Sequence, residues 1–318
     1  MRFGYFLACE EFGPGELLDQ ARQAQDAGFD ALWISDHFHP WNEAQGHSPF
    51  VWSVIGALAQ VCDLPVTTAV TCPTVRLHPA IVAQAAATSA VMHHGRFRLG
   101  VGTGEALNEQ ILGDRWPSID TRLEMLEESV EVMRELWAGG FVTRRGRHYE
   151  VEHAKIYTLP DEPPPVYVSA FGPKALDLAG RIGDGYIGVM PEAELVRGFR
   201  DAGGGGKPAL GGFKVCVADD EESAAEIAHR LWPNMCLPGE LGQVLPSPLH
   251  FEQASQLVTP QLVAEAAVCG PDAGRHVKGA QAYVDAGYDE VYVANIGPNQ
   301  EAFMSLWRDE VLPELRRS

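Results

Sequence analysis

Four short stretches of the chain concentrate side chains that can move protons or hold anions. Ser35-Asp36-His37-Phe38-His39-Pro40-Trp41 sets a carboxylate, an imidazole and an indole side by side. Histidine titrates closest to neutrality, so an imidazole beside a carboxylate is a natural acceptor for a hydroxyl proton. A lone histidine is more often a satisfied core residue; the company of Asp36 and Trp41 tips His37 towards chemistry. Gly102-Thr103-Gly104-Glu105-Ala106-Leu107-Asn108-Glu109 places Glu105 just ahead of a helical stretch. A carboxylate suits the positive end of a helix, and it becomes a proton donor only where burial raises its pKa. Ser169-Ala170-Phe171-Gly172-Pro173-Lys174 is either a plain connection or a helix entrance whose free N–H groups take phosphate. Glu10 and Glu11 form a fourth, smaller group near the amino terminus.

Something must bring these stretches together. Strand-like runs alternate with longer amphipathic ones: a strand over 2–7, a helix over 15–27, a strand over 31–35, a helix over 49–61, a strand over 66–71, a helix over 78–93 and a strand over 97–101. In the next helix, over 122–138, Leu123, Leu126, Val130, Met133 and Trp137 recur three and four apart. The alternation then breaks for a hairpin over 141–157, turning at Arg145-Gly146. It resumes with strands over 166–170, 186–190, 213–218 and 290–295, separated by helices over 173–181, 221–231, 260–268 and 275–286. A last helix covers 300–315. The eight strands outside the hairpin, alternating with helices, predict a (β/α)8 TIM barrel with insertions over the whole of 1–318. The rival, a doubly wound sheet, would want a Gly-rich fingerprint after its first strand, and none is present. In a barrel the chemistry lies at the carboxyl ends of the strands, and all four stretches fall there. The Pro- and Gly-rich run 233–259 reads as a long loop over that face, and the glycines of 201–207 as a second mobile lid element.

Composition narrows the partners. The 318 residues include 24 Lys and Arg against 43 Asp and Glu, a net charge of −19. That balance excludes generic binding to nucleic acid or to anionic membrane, so the expected partner is a small-molecule substrate. No long apolar span and no signal peptide are apparent. The six cysteines carry no C-x-x-C or zinc spacing, so they read as buried thiols of a reducing cytoplasm, with no metal site.

With these residues assembled, the chain resembles the luciferase-like flavin/deazaflavin oxidoreductase superfamily, and within it the coenzyme F420-dependent glucose-6-phosphate dehydrogenase group. The resemblance rests on Ser35–Trp41, Gly100–Glu109, Arg122–Trp137 and the run Ala179–Ile187. It implies a barrel that binds F420 at the strand ends and exchanges hydride at C5 of the deazaflavin, in a homodimer. The catalytic set falls on His37, Glu105, Trp41 and Asp36: His37 takes the substrate proton, Asp36 holds the imidazole and meets the cofactor, and Glu105 serves the N1 side of the ring. The cofactor-binding set falls on Asp36, Ala69, Val70, Cys72, Glu105, Asn108, Ser169, Ala170, Phe171 and Gly172, with a non-prolyl cis peptide expected at Ala69-Val70. Glu10, Trp41, Val189 and Gln243 fall on the substrate side.

The likeness fails where the group holds its sugar phosphate. The Lys expected after the sixth strand is replaced by Val189-Met190-Pro191-Glu192, the late loop reads Gly239-Glu240-Leu241-Gly242-Gln243-Val244, and 264–268 has no Arg. A dianionic phosphate without cations is poorly held. The expected substrate is therefore a neutral or less charged alcohol or carbonyl compound rather than glucose 6-phosphate, unless His39, Lys207 or Arg275 supplies a cation from elsewhere. The alternatives are a sugar-phosphate dehydrogenase with a rearranged phosphate site, an FMN-dependent monooxygenase on the same barrel, and a non-catalytic deazaflavin-binding protein.

Overall fold

A computed structural model describes residues 1–317. Its strands in chain order are β1 (Arg2–Leu7), β2 (Ala31–Ile34), β3 (Val66–Thr68), β4 (Phe97–Val101), β5 (Val142–Arg145), β6 (Glu150–Ala154), β7 (Val166–Ser169), β8 (Gly185–Gly188), β9 (Ala209–Cys216), β10 (Val268–Cys269) and β11 (Glu290–Asn295). β1, β2, β3, β4, β7, β8, β9 and β11 pair in that order, all parallel, and β11 closes on β1. This is the eight-stranded (β/α)8 barrel expected. β10 only extends the edge of β9, and β5–β6 form a separate antiparallel hairpin.

Period-two alternation decides which side chains fill the barrel. Phe6, Trp33, Tyr167, Ile187, Leu210, Tyr292 and Ala294 make an inner layer, with Trp33 stacked on Tyr292 at 4.3 Å between ring centroids. The barrel is too narrow for a side chain at every inward position: a Cβ on Gly212 would lie 2.2 Å from the Trp33 ring. Between the strands and the outer helices lies the larger apolar core, from Leu17 and Val54 through Leu126 and Met133 to Phe303 and Trp307.

Three expectations about segments are corrected. β9 begins at Ala209, not 213, because Gly211 and Gly212 are strand residues that run beneath Tyr288 and Trp33. The run 233–259 is mostly short helices, including Leu241–Val244 and Pro248–Ala254. The glycines of 201–207 cannot cover the site, since they precede β9 and lie at the opposite, amino-terminal end of the barrel. There Lys207 Nζ donates to Gly180 O, and Gly180 packs so closely on Ala202 that an added Cβ would lie 2.4 Å from its carbonyl oxygen.

Candidate active site

The mouth of the barrel carries two adjoining groups of residues. The first lines a cavity of about 540 Å3 with Val70, Gly102 to Glu105, Ser169 to Ala175, Ile119, Leu123, Gly239, Glu240 and Gln243. Tight backbone makes it. A Cβ on Gly102 would strike Val70 at 2.8 Å, and Gly104, at φ +81°, would strike Glu109 at 2.8 Å. The peptide between Ala69 and Val70 is cis. Ala69 packs against the inner layer below, while Val70 faces the cavity.

At the other wall, Gly172 precedes the helix Pro173–Ile182 without a side-chain cap. The amides of Phe171, Gly172, Lys174 and Ala175 have no acceptor among the described residues. A Cβ on Gly172 would meet nothing within 4 Å. The wall is thus an open cradle of backbone donors at a helix entrance, suited to an anion. Lys174 lies at its rim, with Nζ bound to Asp120 at 2.6 Å.

The second group centres on His37. Its Nε2 lies 3.4 Å from Glu10 Oε1, and Glu10 is buried with Oε2 accepting from Ser35 Oγ at 2.7 Å. On the far side of the ring, Nδ1 faces Asn108 Nδ2 at 3.1 Å and His39 O at 3.2 Å. Asn108 is held by the amides of Phe38 and His39, which both donate to its Oδ1. That orientation turns Nδ2 towards the ring, while His39 O offers the same ring nitrogen an acceptor, so Nδ1 has a partner in either tautomer and Nε2 is left facing Glu10. Trp41 packs on the imidazole at 5.0 Å and on Phe251 of the late segment, also at 5.0 Å. Asn108 sits one turn beyond Glu105, so a single short helix, Ala106–Glu109, joins the two groups.

Asp36 does not hold the imidazole. Its carboxylate is buried against Arg76 Nη2 at 2.8 Å and Thr71 Oγ1 at 2.7 Å. Arg76 also binds Glu109, whose Oε2 accepts from the Arg76 amide at 2.8 Å. Burial pushes the Glu109 carboxyl up to about 7, against the pull of Arg76. Cys72 is buried behind Gly104, and its thiol is pushed up by the same burial. Val189 follows β8, half exposed, outside the cavity wall.

Of the expected residues, Val70, Glu105, Ser169, Ala170, Phe171, Gly172 and Gln243 share the cavity, while Glu10, His37, Trp41 and Asn108 share the imidazole group. None of the three cations considered as stand-ins is free in the site. His39 Nδ1 bonds Leu107 O at 2.9 Å, Lys207 lies at the wrong end of the barrel, and Arg275 is paired with Glu221 at 2.6 Å.

Sequence reasoning missed three cations. Arg76 binds both Asp36 and Glu109. Arg122 donates to Gln243 Oε1 at 2.9 Å and stacks on Trp116, tying the late segment to the cavity. Lys214 points into the barrel from β9. Its position was open to discovery, since a lysine inside an apolar strand is a signal once the inward parity is known.

Comparison with known proteins agrees with this geometry. Residues 1–290 match the model of the luciferase-like monooxygenase family. An F420-dependent glucose-6-phosphate dehydrogenase of Microbacterium testaceum is 38% identical, over 100% of this chain and 98% of its own. The enzyme of that name from Mycobacterium avium is 34% identical, covering 100% and 98%. Among solved structures, an F420-dependent secondary alcohol dehydrogenase in complex with an F420-acetone adduct superposes with a TM-score of 0.92 at 31% identity, over 99% of each chain. An F420-dependent tetrahydromethanopterin reductase from Methanopyrus kandleri, at 20% identity and TM-score 0.79, shares the fold. The chain belongs to the luciferase-like family, in the company of these F420-dependent dehydrogenases.

Proposed function

We propose that the protein is a coenzyme F420-dependent oxidoreductase that interconverts a small alcohol and its carbonyl compound. The observation that carries this reading is the union of the two groups: a glycine-walled cavity with a backbone anion cradle, joined through Asn108 to a buried imidazole–carboxylate pair. The residues present suit F420. Val70, Gly102 and Gly104 leave room for a flat ring, and the amides of Phe171, Gly172, Lys174 and Ala175 would take the anionic tail despite the chain's net charge. When bound, the deazaflavin supplies a carbon that accepts or returns hydride.

The chain's own part is the proton. His37 and Glu10 stand 3.4 Å apart, too far for a good hydrogen bond between them, so a substrate hydroxyl oxygen can lie against both. His37 Nε2 receives its proton, with Nδ1–H donating to His39 O and the Glu10 carboxylate beside the resulting imidazolium, in place of the Asp36–His37 pairing expected from sequence. Trp41 and Phe251 shield the ring from water. Asp36, braced by Arg76, is proposed to contact the cofactor from beneath, and Glu105 to hydrogen-bond its ring.

Glucose 6-phosphate is not the proposed substrate, although the sugar-phosphate dehydrogenases are full-length relatives. Glu192, exposed at the entrance of the helix Ala193–Phe199, stands where a cation is expected, Glu240 lines the cavity, and Gln243 is occupied by Arg122. Anaerobic titration with F420 and with FMN, followed by an absorbance screen of alcohols and carbonyls including glucose 6-phosphate, tests the reading. F420 binds and is reduced by a small alcohol. Tight FMN binding alone would instead favour the monooxygenase chemistry, and F420 binding without hydride exchange a passive carrier. In the same assay His37→Ala lowers turnover about 10²–10⁴-fold while F420 still binds, the usual worth of a positioned base. Glu105→Gln also costs most of the turnover; full activity in both variants would refute these roles. We also propose a homodimer, supported by the exposed apolar Phe50 and Ile81 on the early helices and testable by light scattering.

A further inference from the structure

Lys214 is a cation that nothing in the described chain answers. β9 alternates Leu210, Gly212 and Lys214 onto its inward face, and Lys214 lies opposite Ala294, itself a member of the inner layer. Lys214 is half-buried, above an inner layer that includes Phe6, Trp33, Tyr292 and Ala294. Its Nζ lies 4.1 Å from the ring centroid of Trp232 and 5.5 Å from that of Phe6. No hydrogen bond or ion pair engages it among the described residues. The two acids around it are committed elsewhere. Glu10 is taken by Ser35 and faces His37, and Glu11 accepts from Trp232 Nε1 and from the Gly297 amide at 2.8 Å. Burial lowers the pKa of this ammonium and pushes the Glu11 carboxyl up to about 7.

Cation–π contacts with two rings offset part of the desolvation of an ammonium, yet they leave three N–H donors unmet. An oxygen ligand entering the mouth would satisfy them. The charge of that ligand follows from its neighbours: with the Glu11 carboxyl pushed up to about 7, Lys214 and Glu10 are close to balanced, so one added negative charge is tolerated where a dianion is repelled. Glu10 connects this spot to the imidazole pair, since it touches His37 and its field reaches Lys214.

We propose that Lys214 anchors the carboxylate of a substrate that is a hydroxy acid or the corresponding oxo acid, while the carbinol or carbonyl carbon lies at His37 and Glu10. This rests on the dehydrogenase reading above and assigns its substrate class. The missing phosphate cations and the presence of this unpaired one are then two aspects of a single site, built for a monoanion.

The test pairs each of several short 2-hydroxy acids with its own amide, a neutral analogue of nearly the same shape. With the F420-loaded full-length protein, binding is followed by tryptophan fluorescence or calorimetry and hydride exchange by deazaflavin absorbance. The acid binds about 10- to 100-fold more tightly than its amide, as a charge-assisted contact provides. Lys214→Met brings that ratio close to one, and Lys214→Arg retains most of it. A ratio near one in the unmodified protein overturns the proposal, as does an unchanged ratio in a Lys214→Met protein shown to be folded by its melting curve. Should Lys214→Met fail to fold, the ratio in the unmodified protein and in Lys214→Arg still decides. If acids bind in a Lys214-dependent way yet never reduce F420, the anchor stands and the dehydrogenase reading falls. If neutral alcohols reduce F420 while acids bind no better than amides, the anchor falls alone.

Discussion

Two arginines are buried in this barrel among carboxylates, and the two ends treat them differently. At the amino-terminal end, Arg98 forms a fork with Glu290, both N–O distances being 3.0 Å, and adds Tyr292 Oη at 2.7 Å and Thr67 Oγ1 at 2.9 Å. Every charge there has its partner, and the Arg98 contacts hold the Glu290 carboxyl below its ordinary value despite burial. At the mouth, Arg76 faces two acids, Asp36 and Glu109, and the second is pushed up to about 7 because burial outweighs its share of one guanidinium. The lower cluster is closed, with Arg2 a second cation on Glu290 at 3.4 Å. The upper one is left with a surplus of acid, next to a cavity. A satisfied cluster fixes the barrel's shape; an unbalanced one leaves protonation states that ligands and pH can shift.

Breaking the lower cluster gives the largest expected effect on stability. Arg98→Met leaves Glu290 buried without its fork and destabilises the protein by about 3–5 kcal/mol, read by denaturant unfolding. F420 affinity of the folded protein is retained, because no Arg98 contact reaches the mouth. A variant as stable as the parent would show that the lower fork carries no more weight than a surface pair.

The upper cluster predicts a pH slope. Glu109 has a folded-state pKa of about 7 against an ordinary 4.5, so the folded chain holds its proton more tightly than the unfolded chain. The associated stability is complete below about 4.5 and is lost as pH rises through about 7. The full span is worth about 3 kcal/mol. Glu109→Gln flattens that stretch of the stability–pH curve, whereas Glu290→Gln does not. An unaltered slope in Glu109→Gln would remove the contrast between the clusters.

The smallest effect sharpens the link between cavity and imidazole. Asn108→Ala frees the Phe38 and His39 amides and the Nδ1 side of His37, costing about 1–2 kcal/mol in thermal unfolding. Turnover falls more than F420 affinity does, because the ring loses its orientation while the cofactor cradle at 169–172 is untouched. Equal losses in both would mean that Asn108 serves the cofactor directly.

The sequence alone determined the barrel, since eight strand–helix alternations admit few closed topologies, and it placed Glu10, His37, Trp41, Glu105 and 169–174 at strand ends. It also marked the Ser35–Trp41 and Gly100–Glu109 motifs whose likeness to F420 enzymes the relatives bear out at the level of family. Local pattern could carry this much because strand and helix periods are properties of neighbouring residues.

What it could not carry was pairing across the mouth. Asp36 precedes His37 in the chain, yet adjacent residues of an extended segment point to opposite sides. The imidazole is therefore met by Glu10 and Asn108, and the aspartate by Arg76 and Thr71. Lys214 likewise is an ordinary lysine until β9 acquires its register against β11 and turns that side chain inward over Phe6. Which charges face one another, and which of them lacks a partner, was decided only when eight distant strands closed into one ring.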